Sequence, residues 1–278
     1  MSFTSILSLG DQFSNPDRDW VVLATSATIR AHVLRQHLNI QNLLLLTSGF
    51  AEDLDKSEFE DVGDYARATA DGKARAVAQR VFGASTPEEV KAVLEDLKNP
   101  FGSVPTGFDI SKVRFVIGAD TVCSCAGEIF EKPANIDEAR KQFTAYQNAY
   151  PEMITGVSAY AREKGHDEPI FSFYESTVLR FQRMTPEDIE AYLRTNEFVG
   201  TAGSCRITGF AESLIEWMDG SYTTSVGMPA QKVSRNLCRY LTGFVIEGED
   251  EEFFEDDDLE CEVENTVDEE VKGDAATK

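Results

Sequence analysis

Apolar positions along the chain fall into two rhythms, one of short unbroken runs and one of helical spacing. Val21-Val22-Leu23-Ala24 is an unbroken run and predicts a first strand. Behind it Ile29, Val33, Leu34 and Leu38 recur at helical intervals. Residues 43–46 form a second short apolar run. Residues 65–82 predict a long helix with Ala66, Ala70, Ala74, Val77, Ala78 and Val81 on one face. Residues 87–98 predict another, with Thr86 as its cap and Pro87 at its first position. Two prolines and two glycines within 99–107 predict a loop.

The run Val113-Arg114-Phe115-Val116-Ile117 predicts a buried strand that ends in Gly118-Ala119-Asp120-Thr121. That places a carboxylate and a hydroxyl at a strand's carboxyl end, where open α/β sheets bind ligands. A hairpin-like stretch through Val122 and Ile129 follows, then a helix over 136–146. Residues 154–162 and 170–181, rich in β-branched and aromatic side chains, predict an antiparallel pair joined by a polar turn. Thr185-Pro186-Glu187-Asp188 opens a further helix, with hydroxyl, proline and acids where a helix start favours them. A strand over 213–218 and a helix over 229–241 complete the series. No internal repeat interrupts it, and the mixture predicts one α/β domain with a mixed sheet.

Composition changes this picture only at the termini. Residues 1–20 are expected to form an N-terminal extension, 21–246 the domain and 247–278 a tail. The net charge is −23, yet the tail alone carries sixteen acidic and two basic residues, so the body is only moderately acidic. The tail is too poor in apolar residues to offset its ordering entropy and is expected to be disordered, a possible docking arm for a basic partner. No basic stripe suits a nucleic acid. No apolar run approaches the ~20 residues needed to span a bilayer, and no secretory leader is legible, so the expected location is cytoplasmic. Five cysteines and three histidines show no metal-ligand spacing.

The candidate chemistry is carried by residues that are each weak alone. Asp120 suits a turn cap as well as a metal ligand. Lys73, Lys132 and Arg206 suit solvated surfaces, and Glu52 suits ordinary loop acidity. Their order along the chain is more telling. Leu23-Ala24-Thr25-Ser26 leads into a helix bearing Arg30, followed by Tyr65…Lys73-Ala74, Gly118-Ala119-Asp120-Thr121, Glu131-Lys132-Pro133 and Glu138-Ala139-Arg140. Thr155-Gly156-Val157, Ala202-Gly203 and Gly220-Ser221-Tyr222…Val226-Gly227-Met228-Pro229 then close the series. This order resembles the Maf (septum-formation) family over residues 20 to 242, and the stretch 52–74 looks most like its eukaryotic branch.

The resemblance implies a Maf/ITPase-like fold, a mixed twisted sheet with helices and two lobes around a cleft, commonly as a homodimer. It implies a nucleoside-triphosphate pyrophosphatase that removes non-standard, methylated or pyrimidine nucleotides with a divalent cation, Mg²⁺ or Mn²⁺. By the same resemblance Asp120, Lys73 and Lys132 are the catalytic candidates. Thr25, Ser26, Arg30, Thr121, Arg206 and Thr208 are the substrate-binding ones, and Asp120 with Glu52 would hold the metal. The residue types suit this independently, since a triphosphate needs cations and a helix N-terminus, and a hard metal prefers carboxylate oxygen. Residues 85–112 are expected to be an insertion beside the sheet.

The chain also departs from the family pattern. The opening Ser-x-Ser-Pro-Arg-Arg becomes Thr25-Ser26-Ala27-Thr28-Ile29-Arg30, with one serine and one arginine missing. The later glutamine is replaced by Thr208, and Ser204 and Arg206 resemble the branch associated with 7-methyl-GTP. Gly118-Ala119-Asp120-Thr121 instead has the dTTP/UTP spelling. The rival expectation is a nucleotide-binding regulator, linked to cell division, that has lost turnover.

Overall fold

The computed structural model describes residues 9–243. Seven strands form one mixed sheet: β1 Trp20–Leu23, β2 Leu43–Leu45, β3 Val113–Cys125, β4 Glu128–Phe130, β5 Glu152–Ala161, β6 Phe171–Phe181 and β7 Ile215–Gly220. Their order is β2-β1-β3-β5-β6-β7, with β4 added alongside β3. β1 runs parallel to β2 and β3, and the remaining pairings are antiparallel. The predicted pair over 154–162 and 170–181 is β5 and β6, which pair antiparallel from Glu152↔Val178 to Ala159↔Phe171.

β3 is longer than its sequence suggests, because the expected strand and the first arm of the hairpin are continuous. Its first part, to Ile117, lies against β1, and its last, from Cys123, lies against β4. Residues 118–122 pair only with β5 on the other side. This interruption, at the point where β1 ends, leaves one edge of β3 open in mid-strand.

The helices are α1 Leu9–Gln12, α2 Thr28–Leu38, α3 Val62–Gly83, α4 Pro87–Asp96, α5 Ile136–Ala145, α6 Pro186–Leu193, α7 Tyr222–Ser225 and α8 Ala230–Thr242. α3 has the largest consequence. Small residues along one face let its backbone lie directly on the sheet. A Cβ on Gly118 would fall 2.4 Å from the Ala70 carbonyl oxygen, and one on Gly156 would fall 2.4 Å from that of Ala66. Glycines on β3 and β5 therefore set the depth of α3, and with it the height of any side chain α3 carries over β3.

Separate cores form the two lobes. α2 and α8 cover one face of β1 and β3, and α3 and α4 the other. A second cluster gathers Cys123, Phe143, Tyr146, Phe181, Tyr192, Leu193 and Ile207 around α5 and α6. The stretch ahead of β1, expected to be an extension, contributes Leu9 and Phe13 to the first core, both fully buried. The acidic tail expected over 247–278 lies outside the described residues.

Candidate active site

A cavity of about 550 Å³ opens where β1 ends beside the uncovered middle of β3. All ten residues singled out from the sequence line it: Thr25, Ser26, Arg30, Glu52, Lys73, Asp120, Thr121, Lys132, Arg206 and Thr208. They come from points up to 183 residues apart in the chain, and four pieces of backbone deliver most of them. The turn after β1 brings Thr25 and Ser26, α2 brings Arg30, α3 brings Lys73 and β3 brings Asp120 and Thr121.

Lys73 and Asp120 form the floor. Lys73 donates to Asp120 Oδ1 at 2.7 Å and pairs with Glu52 Oε2 at 2.8 Å. The lysine and Asp120 are almost fully buried, whereas Glu52 is half-exposed. Glu52 reaches the lysine from an irregular segment anchored by its neighbour Phe50, whose ring occupies the space where Gly72 lacks a side chain. A Cβ there would fall 2.4 Å from that ring.

Arg30 is held by three neutral oxygens. Its Nε donates to the Gly227 carbonyl at 3.0 Å, and its two terminal nitrogens donate to Thr25 Oγ1 and Thr121 Oγ1, each at 3.3 Å. Burial pulls its pKa below the ordinary arginine value, and the charges of Asp120 and Glu52 oppose that shift. Thr121 Oγ1 also lies 3.0 Å from Thr155 Oγ1, and Thr155 donates to the Thr224 carbonyl at 2.8 Å. Each hydroxyl has one hydrogen, so the direction of the chain is settled: Arg30 to Thr121, Thr121 to Thr155, Thr155 to the Thr224 carbonyl. Gly227 allows this approach. Its φ is +95°, and a Cβ would lie 2.8 Å from Thr121 Oγ1.

The N-terminus of α2 faces the same cavity through Ala27, Thr28 and Ile29. Its N-cap is Ala27, with no side-chain cap, so the first amides are left for another acceptor. The helix begins two residues after Ser26, because Thr25 Oγ1 takes the Ala27 N–H at 3.0 Å in a local turn. Lys132, just past β4, is exposed, and no ion pair engages it among the described residues. Its neighbour Glu131 pairs with Lys56, which ties the two loops flanking the cavity.

Ala24, Thr47, Ser48, Ser225 and Val226 add to the lining near the ends of β1 and α7, and the far part comes from Met153 and from residues 200–208, including Gly200, Thr201, Ala202, Cys205 and Ile207. This part is largely neutral. Arg206 is its exception, although its Nε donates to the Glu197 carbonyl at 3.1 Å and its Nη2 to that of Val199 at 3.4 Å. Thr208 is exposed at the rim.

The carboxylates available to a divalent cation are Asp120 and Glu52. No cluster of three or more His, Cys, Asp or Glu stands ready to ligate a metal among the described residues. Two carboxylates suit an ion such as Mg²⁺ that takes its other ligands from water and phosphate.

Sequence reasoning passed over Thr155, the Gly227 carbonyl, Met153 and Ser225. Thr155 and Gly227 lie within motifs that the sequence displays. Their pairing with a residue such as Arg30, 197 positions from Gly227, is a tertiary fact.

A family model described as Maf-like protein matches residues 20–240. Among similar proteins, one from Vibrio vulnificus (strain YJ016) named dTTP/UTP pyrophosphatase is 30% identical over 132 residues, 48% of this chain and 68% of its own length. One of the same name from Bacillus cereus (strain B4264) is 33% identical over 127 residues, 46% of this chain and 64% of its own length. A third, from Geobacter sulfurreducens, is 35% identical over 126 residues, 45% of this chain and 64% of its own length. The chain thus spans about two thirds of the length of these relatives.

Proposed function

The chain belongs to the Maf-like protein family, and on that premise we propose that its cavity hydrolyses the α–β phosphoanhydride of nucleoside triphosphates to a monophosphate and pyrophosphate. One observation carries this reading. Arg30 is half-buried in the cavity wall and donates only to neutral acceptors, beside the uncapped start of α2 and the buried Lys73. A fixed positive charge whose partners are all neutral is suited to an anion that enters the cavity. The volume also lies within the range of small-molecule sites.

Roles follow from chemistry and placement. The first amides of α2 and the Arg30 guanidinium bind phosphate oxygens. Lys73 and Lys132 offset the charge that grows on the departing pyrophosphate. Asp120 orients the attacking water and, with Glu52, would hold a divalent cation whose remaining ligands are phosphate oxygens and water. Such an ion, when bound, supplies Lewis acidity toward the phosphates. Thr25 and Thr121 fix the guanidinium, and Ser26 lies beside the phosphate path. The neutral lining through Met153 and residues 200–208 receives the nucleoside.

Purified protein mixed with UTP, dTTP, CTP, GTP and 7-methyl-GTP, with Mg²⁺ or Mn²⁺, is expected to release pyrophosphate from at least one of them. Tight nucleotide binding with no pyrophosphate from any would replace the enzyme with a nucleotide-binding regulator. A full rate in the presence of a chelator would remove the metal from the reading.

A further inference from the structure

Arg206 is the one cation in the neutral part of the lining, and its side chain is already engaged. Its guanidinium spans two carbonyl acceptors of the segment after α6 on either side of Phe198, Glu197 at 3.1 Å and Val199 at 3.4 Å. Its own backbone is fixed as well, since its N–H donates to the Tyr192 hydroxyl at 3.1 Å. Within the segment it holds, Phe198 packs into the cluster around α5 and α6 at 5% exposed, whereas Val199 on one side of it is 58% exposed. The segment also contains two left-handed residues, Asn196 at φ +59° and Gly200 at φ +72°. Polar ties hold the backbone on either side of Phe198. The Glu197 carboxylate takes the Phe210 N–H at 2.7 Å, and Thr201 Oγ1 donates to the Glu197 carbonyl at 3.1 Å. The segment matters because Gly200 and Thr201 form part of the cavity wall.

We propose that Arg206 is a positioning residue for the nucleoside end of the cavity: it straps residues 197–199, and thereby sets the wall at Gly200 and Thr201 against which the base is selected. The proposal rests on the nucleotide reading above and assigns Arg206 no phosphate. A planar guanidinium with several donors in a fixed fork can bridge two carbonyls, which an ammonium on a flexible stem cannot do in the same way. Strapping therefore requires arginine, whereas a merely attractive charge would be satisfied by lysine.

The test compares the full-length parent with Arg206→Lys and Arg206→Ala by direct binding of UTP and GTP and by competition with inorganic tripolyphosphate. In both variants the ratio of UTP to GTP affinities is expected to move toward unity by about tenfold, through the preferred nucleotide. Tripolyphosphate, which has no nucleoside, should bind within about twofold of the parent. Amide hydrogen exchange over residues 198–201 should quicken in both variants. Parent-like selectivity in Arg206→Lys, or an equal loss for tripolyphosphate and nucleotide, would overturn the strap in favour of a charge contact. Unchanged exchange over 198–201 would overturn it as well. The assay reads binding, so a parent that binds nucleotides without releasing pyrophosphate defeats the enzyme reading and still decides this one. A parent that binds neither nucleotide defeats both.

Discussion

Lys73 stands between two carboxylates, and removing its charge differs in consequence from removing that of Asp120. Replacing it with methionine leaves Asp120 buried, with Glu52 nearby and no cation between them. An uncompensated buried charge is costly, so Lys73→Met should lower stability by about 3 kcal/mol as well as abolish turnover. A denaturation midpoint measured beside the parent checks this. Asp120→Asn keeps the shape and leaves Lys73 paired with Glu52, so the fold should survive while turnover falls by about 100-fold or more. Activity within a few-fold of the parent would remove Asp120 from the chemistry. The cysteines give a pH prediction. Burial pushes the Cys123 thiol up from 9.0 to about 12. Its folded state thus keeps a proton that the unfolded chain releases near pH 9, so the stability it contributes is full below 9 and declines as pH rises toward 12. The thiolate is the reactive form, so Cys123 should resist alkylation at pH 8 in the folded protein and react once unfolded. Peptide mapping after labelling would show which holds.

At the scale of elements, the depth of α3 on the sheet decides whether Lys73 reaches Asp120. Gly118→Ala would place a methyl 2.4 Å from the Ala70 carbonyl oxygen and 2.8 Å from the Ala74 nitrogen, both backbone atoms that cannot rotate away. The helix must lift, at a cost of about 3 kcal/mol, and the Lys73–Asp120 contact must lengthen with it. Loss of stability together with loss of turnover is the expected result; full turnover at reduced stability would show that the pair tolerates displacement. The connection over residues 99–107 should behave in the opposite way. None of its residues lines the cavity, but Phe101 meets the His32 ring at 5.0 Å and lies under the Arg35 guanidinium at 4.2 Å. Trimming this loop to a short turn should lower the melting temperature through those lost contacts on α2 while leaving turnover within about twofold. A large fall in rate with the fold intact would tie the loop to the site.

For the whole molecule, the charge is divided unevenly, with sixteen acidic residues after position 246. If that segment is a docking arm, its removal should abolish capture of a basic partner and leave pyrophosphate release within about twofold of the full chain. A large loss of turnover on truncation would give the segment a part in the reaction instead.

The sequence by itself determined most of the elements, because period and caps are local properties: the β5–β6 pair, the alanine face of α3 and the proline starts of α4 and α6 are all written in neighbouring residues. It also pointed to ten of the residues that line the cavity, through motifs whose order is specific although each is short. It could not read three things. The junction of strand and hairpin into one long β3 depends on partners from distant strands. The burial of Leu9 and Phe13 depends on a sheet that forms elsewhere in the chain. The use of Arg206 depends on acceptors that are backbone carbonyls, and a carbonyl has no letter in the sequence. Arg30 makes the same point: its residue type announced an anion site, but its charge is left for a ligand only because the fold surrounds it with neutral oxygens. Local pattern fixes what a segment becomes, and tertiary packing decides which of its charges remain available.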